Sequence, residues 1–383
     1  MTIDETWLQA SSDPEEAADL TAALVRIRSY PGEEAAAQGL VAGWLDREGI
    51  EEVETVTAMA GRPNVVARVE NGAGPTLLLN GHIDTVLAVE GWSGDPWQGW
   101  RDSDRLYGLG ACDMKAGVAA GMLVIRALAK RPDLWRGTVI FTSVIDEEAY
   151  SAGARALIAD GVTADACLVL ESSWEEPAIG SMGKVLVRAD VTGQAAHASF
   201  PGQGVNAAVE AARFVTTLER LTLGTHPRIT ASQCVLSLQS GNEQYVITVP
   251  EKARVVINRH TVPGMTGAWI LDEIRRLADG LESPATFAFA IDPPYYPPWE
   301  IHPDHPLVET FAKVYEAETG TLPTFGYHGF GDANLFAGEA HIPTVQFGPL
   351  GGNFHAADEW VDVPSIAAAV RVVLRLAVDV LAR

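Results

Sequence analysis

Basic residues are scarce in this chain. Its 383 residues include 27 Lys and Arg against 50 Asp and Glu, a formal net charge of −23. Gripping a phosphate backbone needs a basic face, so nucleic acid is excluded as a partner. An anionic membrane surface is disfavoured for the same reason. Cysteine is scarcer still. Cys112, Cys167 and Cys234 are odd in number and widely spaced, which gives neither a disulfide framework nor a Cys-x-x-Cys zinc site. A reducing cytoplasm suits such a chain. No apolar run approaches the roughly 18 residues of a membrane span. The acidic start, Met1-Thr-Ile-Asp-Glu-Thr6, has no apolar core and does not read as a signal peptide. Internal repeats and low-complexity tracts are also missing.

What is present is an ordinary globular composition, 47% hydrophobic and 20% charged, in a chain long enough for two domains. The stretch Thr76-Leu-Leu-Leu-Asn-Gly-His82-Ile-Asp84-Thr85 organises it. A continuous apolar run bounded by turn signals reads as a strand buried on both faces, and ligands of open α/β sheets gather at the carboxyl ends of such strands. His82 and Asp84 are two apart, so in extended chain they point to one side. Asp84 can then accept from one ring nitrogen while the other faces a metal. A plain strand-end histidine with a capping aspartate is the other reading.

Apolar periodicity predicts helices over Glu15–Arg28 and Glu33–Glu48, a strand over Asn64–Val69, and a helix over Val118–Leu128. Strands over Arg136–Ile145 and Ala166–Leu170 end in Asp146-Glu147-Glu148 and Glu171. The loop Glu90–Arg105, with Trp92, Trp97 and Trp100, reads first as self-packing and second as a substrate mouth. Glycines in Tyr107-Gly-Leu-Gly-Ala-Cys-Asp113-Met-Lys115 permit close backbone approach, but the order of a phosphate-binding loop is absent. From Lys184 to Ile291 the predicted order is β-α-β-β-α-β, that of a ferredoxin-like sandwich. The proline-rich Asp292–Pro306 reads as its return linker. The expected architecture is α/β: a mixed, mainly parallel sheet flanked by helices (1–182 and 293–383), interrupted by a smaller α+β domain (183–292).

Acidic groups at the ends of several parallel strands converge. Bare, they raise each other's pKa, and a cation is the simplest way to hold them together. His82, Asp113, Glu147, Glu148, Glu171 and His355 supply imidazole and carboxylate without thiolate, a donor set suited to Zn2+ and also to Co2+ or Mn2+. Two ions about 3.5–4 Å apart need a shared carboxylate, and a further carboxylate beside the bound water serves as general base.

These pieces, with Gly-x-x-x-His197-Ala-Ser and the late His355, resemble the M20 metallopeptidase family over nearly the whole chain. They are most similar to its acetylornithine deacetylase / succinyl-diaminopimelate desuccinylase branch. The resemblance implies a zinc-exopeptidase-like catalytic domain with an inserted dimerisation domain, two metal ions and a homodimer. It implies that Asp113 bridges the metals, that His82 and Glu171 complete one site, and that Glu148 and His355 complete the other. Asp84 then orients His82, Glu147 is the general base, and His197 reaches the partner's active site to stabilise an oxyanion. Arg259 matches a position that helps hold a substrate carboxylate, Asn242 and His328 are taken with it as substrate-side residues, and His328 and Asp332 sit where relatives have a substrate-side glycine-rich turn. Other histidines (His226, His260, His302, His305, His341) read as ordinary surface or loop residues. Two departures from the family pattern, Thr248 and Gly331, touch substrate choice.

The implied activity is amide hydrolysis of an N-acyl amino acid. Dipeptidase or carboxypeptidase action is the alternative within the family. An inactive metal-stabilised binding or scaffold protein is the alternative outside it, and a two-metal phosphatase or nuclease is weaker still.

Overall fold

A computed structural model describes residues 3–241 and 247–382. The elements used below are, in chain order, α1 (Pro14–Val25), α2 (Ala35–Arg47), β1 (Glu52–Met59), β2 (Arg62–Asn71), β3 (Thr76–His82), α3 (Ala116–Ala129), β4 (Gly137–Val144), α4 (Ala152–Ala159), β5 (Ala166–Val169), β6 (Gly183–Thr192), α5 (Ala207–Leu218), β7 (Ser232–Ser240), β8 (Lys252–Thr261), α6 (Gly267–Asp279), β9 (Thr286–Tyr296), α7 (Pro306–Thr319), β10 (Thr344–Gln346) and α8 (Val363–Leu381). The chain divides into two compact units. One holds the described residues up to Gly180, Glu300–Gly326 and those from Gly331 onward; the other holds Ser181–Trp299 and Tyr327–Phe330.

In the first unit the sheet runs β1-β2-β4-β3-β5-β10. Its β4, β3, β5 and β10 are parallel, and β1 and β2 join antiparallel. β3 is buried along Leu77–His82, as its continuous apolar run predicts for a central parallel strand. α3 lies so close against the sheet that a Cβ at Gly117 would stand 2.0 Å from the carbonyl oxygen of Leu170. Glycine there sets the depth at which the preceding turn, and Asp113 with it, enters the structure. α1 starts where Asp13 accepts from the Glu15 N–H and Pro14 occupies the first turn. α8, apolar on one broad face, packs against α1, α3 and α7. Among the described residues no helix is long and apolar enough to cross a membrane.

β1 escaped the periodicity reading because it buries no side chain fully, so no apolar stripe marks it. The tryptophan loop packs down: Trp100 stacks on Tyr107 at 4.0 Å, and Trp97 meets Tyr30 edge-on at 6.4 Å.

The second unit follows β6-α5-β7-β8-α6-β9, with antiparallel sheet order β7-β8-β6-β9. Burial alternates residue by residue along β6. Val185, Val187, Ala189 and Val191 pack with Phe214 of α5 and Ile270 and Ile274 of α6. β9 continues through Pro293-Pro294 to Tyr296, where linker was expected, with its register broken between Asp292 and Tyr296. An edge strand tolerates prolines because its outer N–H groups face no partner.

Candidate metal centre

The carboxyl ends of β3, β4 and β5 each deliver side chains to one place. His82 closes β3, Glu147 and Glu148 follow β4, and Glu171 follows β5. The turn ahead of α3 adds Asp113, and the loop before α8 adds His355. Asp113 divides its carboxylate between the histidines: Oδ1 lies 3.1 Å from His82 Nε2, and Oδ2 lies 3.2 Å from His355 Nε2. Glu171 Oε1 stands 3.2 Å from His82 Nε2, and Glu148 Oε1 stands 3.2 Å from His355 Nε2. Two groups result, His82–Asp113–Glu171 and Asp113–Glu148–His355, each with ligand atoms within 4.8 Å of one another. Glu147 Oε2 is 3.9 Å from His82 Nε2 and belongs to neither.

The electrostatics suit a cation among these side chains. Burial, with Asp113 beside it, pushes Glu171 up to about 7 against the pull of His82. Burial likewise holds Glu147 well above the usual carboxylate range against the pull of His82, and the neighbouring acids Asp332, Glu171 and Glu148 push it the same way as burial. Hydrogen bonds that His355 donates to Asp113 and Glu148 raise it to about 10. His82 is raised well above its ordinary value, its burial outweighed by Glu171, Asp113 and Glu147. Asp113 is held low, its own burial overcome by the two imidazoles. Without a cation the histidines must keep their protons to neutralise the acids. A metal pair would take over that charge and leave both Nε2 atoms free to ligate.

Asp84 does something other than expected. His82 Nδ1 donates to Asp84's main-chain oxygen, at 3.0 Å, while the Asp84 carboxylate is 3.6 Å from that nitrogen. That carboxylate instead accepts the main-chain N–H groups of Glu147 at 3.1 Å and Glu148 at 2.9 Å. Next to them Asp146 has φ +69° and is ion-paired with Arg62, which also binds the buried Glu34. The loop bearing Glu147 is therefore gripped from two sides.

Gly331 is explained by close approach. A Cβ there would lie 2.5 Å from Glu147 Oε1, so a serine or threonine in that place would displace the carboxylate. Of two further buried acids, the sequence reading put Asp332 in a substrate-side turn and missed Glu359. Asp332 accepts from Asn80 Nδ2 at 3.1 Å, and Glu359 lies beneath the Gly110–Asp113 turn. The acidity of the segment Ala356-Ala-Asp-Glu359 was the available signal, and an acid in a loop is ordinarily solvated.

The second unit carries the remaining expectations. His197 is exposed, and its Nδ1 accepts the N–H of Ser199 at 3.1 Å, the turn-capping contact that a plain structural role predicts. His328 ends the short strand Gly326–His328. Arg259 needs correcting. It is fully buried, on the face of β8 that α6 covers, ion-paired with Glu273 and 5.8 Å from the Trp269 ring. Strand alternation puts it on the core face with Val255 and Ile257, where Glu273 rather than solvent faces it. Asn242 lies outside the described residues.

Comparisons with known proteins identify the family and the fold. The family model for peptidase family M20/M25/M40 matches residues 78–379. Succinyl-diaminopimelate desuccinylase of Cereibacter sphaeroides is 31% identical, over 94% of this chain and 97% of its own. The same enzyme of Acidiphilium cryptum is 31% identical over 92% and 95%. In fold, the chain is similar to aminopeptidase PepT of Bacillus cereus, with TM-score 0.79 and 21% identity, covering 97% of this chain and 99% of that one. It is also similar to a dinuclear metal-binding M20 peptidase of Bacillus subtilis, with TM-score 0.72 and 19% identity, covering 99% of both.

Proposed function

The chain belongs to peptidase family M20/M25/M40, and from that premise we propose that it hydrolyses the amide bond of an N-acyl amino acid with a pair of divalent metal ions. The observation that carries this is Asp113, which presents one oxygen to each of two histidines. His82 and Glu171 would hold one ion, Glu148 and His355 the other, and Asp113 both. The donor set suits Zn2+, with Co2+ or Mn2+ as substitutes. When bound, the pair supplies Lewis-acid polarisation of the acyl carbonyl and a water acidic enough to ionise near neutral pH.

The chain's own residues do the rest. Glu147 is excluded from both ligand groups yet lies at the edge of one, and its burial raises its proton affinity above that of an ordinary carboxylate, the direction a general base needs. It takes a proton from the attacking water and returns it to the leaving nitrogen. Asp84 holds the Glu147 main chain in place through the N–H it accepts. His197 of a second subunit would stabilise the oxyanion, a donation worth roughly 3–4 kcal/mol, which makes a homodimer the working unit. The cytoplasm is its proposed compartment.

The relatives named as desuccinylases direct the first assays to N-succinyl and N-acetyl amino acids. The fold neighbours named as peptidases direct the second to di- and tripeptides. Elemental metal analysis and a hydrolysis screen on one sample test the reading. Two ions per chain and turnover of an N-acyl amino acid are expected. Metal uptake with no turnover on any amide or peptide would favour a metal-stabilised binding protein. Glu147→Ala should keep its metal and lose turnover.

A further inference from the structure

We propose that Glu359 is the positioning residue of the metal centre: its buried carboxylate fixes the turn from which Asp113 reaches both metal sites. This rests on reading Asp113 as the shared ligand.

Glu359 is 1% exposed. Its Oε2 accepts the main-chain N–H of Gly110 at 2.8 Å, and its Oε1 accepts those of Cys112 at 2.9 Å and Asp113 at 3.0 Å. Its own main-chain oxygen accepts the N–H of Gly108 at 3.0 Å. One side chain thus gathers three N–H groups from four consecutive residues, ending at the ligand itself. Gly110, at φ +75°, supplies the left-handed conformation that turns the backbone there.

A shared ligand is sensitive to this. Asp113 must send its two oxygens in different directions at once, so a rotation of its main chain that improves one contact spoils the other. Other side chains could satisfy one such N–H; a carboxylate with two oxygens satisfies all three together. Lys115, the nearest cation along the chain, does not compete for Glu359, since its Nζ donates to the carbonyls of Leu24 at 3.1 Å and Ile27 at 2.9 Å. Glu359 also stands at the end of a ladder pairing Trp360–Asp362 with Arg105–Tyr107, in the segment that bears His355. The same residue therefore joins the segments carrying two ligands of one metal.

Glu359→Gln is the informative change. Its carboxamide keeps one acceptor oxygen and turns an NH2 group toward a main-chain N–H, donor against donor. Zn2+ titration of the metal-free chain by calorimetry should show one ion bound as in the wild type and the second weakened by about 10–100-fold. The visible absorption of the Co2+-loaded chain should change, and kcat should fall more than KM rises. Glu359→Asp, which keeps both oxygens, should recover part of the second-site affinity. Unchanged Co2+ absorption together with wild-type affinity for both ions in Glu359→Gln would overturn the proposal. If the variants do not fold, amide exchange in the wild type decides: Gly110, Cys112 and Asp113 should be protected together, and rapid exchange at them refutes the clamp. A wild-type chain that takes up no metal removes the centre and this inference together. Two ions bound with the same affinities in wild type and Glu359→Gln removes this inference alone.

Discussion

The carboxylate of Asp84 accepts the main-chain N–H of Glu147 at 3.1 Å. An acid expected to steer a histidine side chain therefore grips the backbone that presents the base. Asp84→Asn keeps the size and loses one acceptor, leaving a buried N–H of Glu147 or Glu148 facing an NH2 group. We expect a cost of about 2 kcal/mol, which at the transition state is roughly 30-fold in kcat, with metal content largely retained. Steady-state kinetics and metal analysis on the variant check this. A metal-free variant would return Asp84 to the role of a histidine-orienting group.

Gly331 leaves the room that Glu147 occupies. Gly331→Ser places a Cβ 2.5 Å from Glu147 Oε1 in the present geometry, so the carboxylate must move. Overpacking of this kind costs about 1–3 kcal/mol, and kcat should fall at least tenfold while both metals stay bound. A serine variant as active as wild type would mean that the carboxylate relaxes without loss.

Arg259 belongs to the second unit's core. Arg259→Ala strands Glu273 without its partner, a change that costs about 3–5 kcal/mol when the pair is buried. Thermal unfolding should show the loss, and KM for an N-acyl amino acid should be nearly unchanged in whatever fraction stays folded. A large rise in KM without loss of stability would restore the substrate-binding reading.

Metal removal should make stability strongly pH-dependent. Burial raises Asp84, Glu171 and Glu359 each to about 7, against about 4 in an unfolded chain. Between those values the folded metal-free state binds more protons than the unfolded one, so stability falls as pH rises from about 4 to about 7. His355, raised to about 10, contributes in the same sense: its stabilisation is present below about 6.5 and is lost as pH rises through 10. Bound metal would replace the protons of Glu171 and His355, the two of these groups that belong to its ligand sets. The gap in Tm between metal-loaded and chelator-treated protein should therefore widen from pH 5 to pH 8, and a constant or shrinking gap would contradict the charge assignment.

Much of the centre was legible in the order of residues because its ligands sit where local pattern changes. An apolar run stops, a polar group follows, and this happens at His82, at Glu147 and Glu148, and at Glu171. The ferredoxin-like order of the second unit was legible for the same reason, since periods of two and of 3.6 alternate along it. Arg259 was misplaced because family position says nothing about which side of a strand a residue faces; the alternation of β8 does.

By itself, the order of amino acids determined which chemical groups the chain owns and which stretches become strands and helices, since both depend on neighbours a few positions away. Tertiary structure alone decided which atoms meet. Glu359 and Gly110 are 249 positions apart, and the shared turn they build exists only once the ladder beside them has closed. The same holds for Gly331 and Glu147: a glycine is silent in sequence, and its meaning is the space that a distant carboxylate fills.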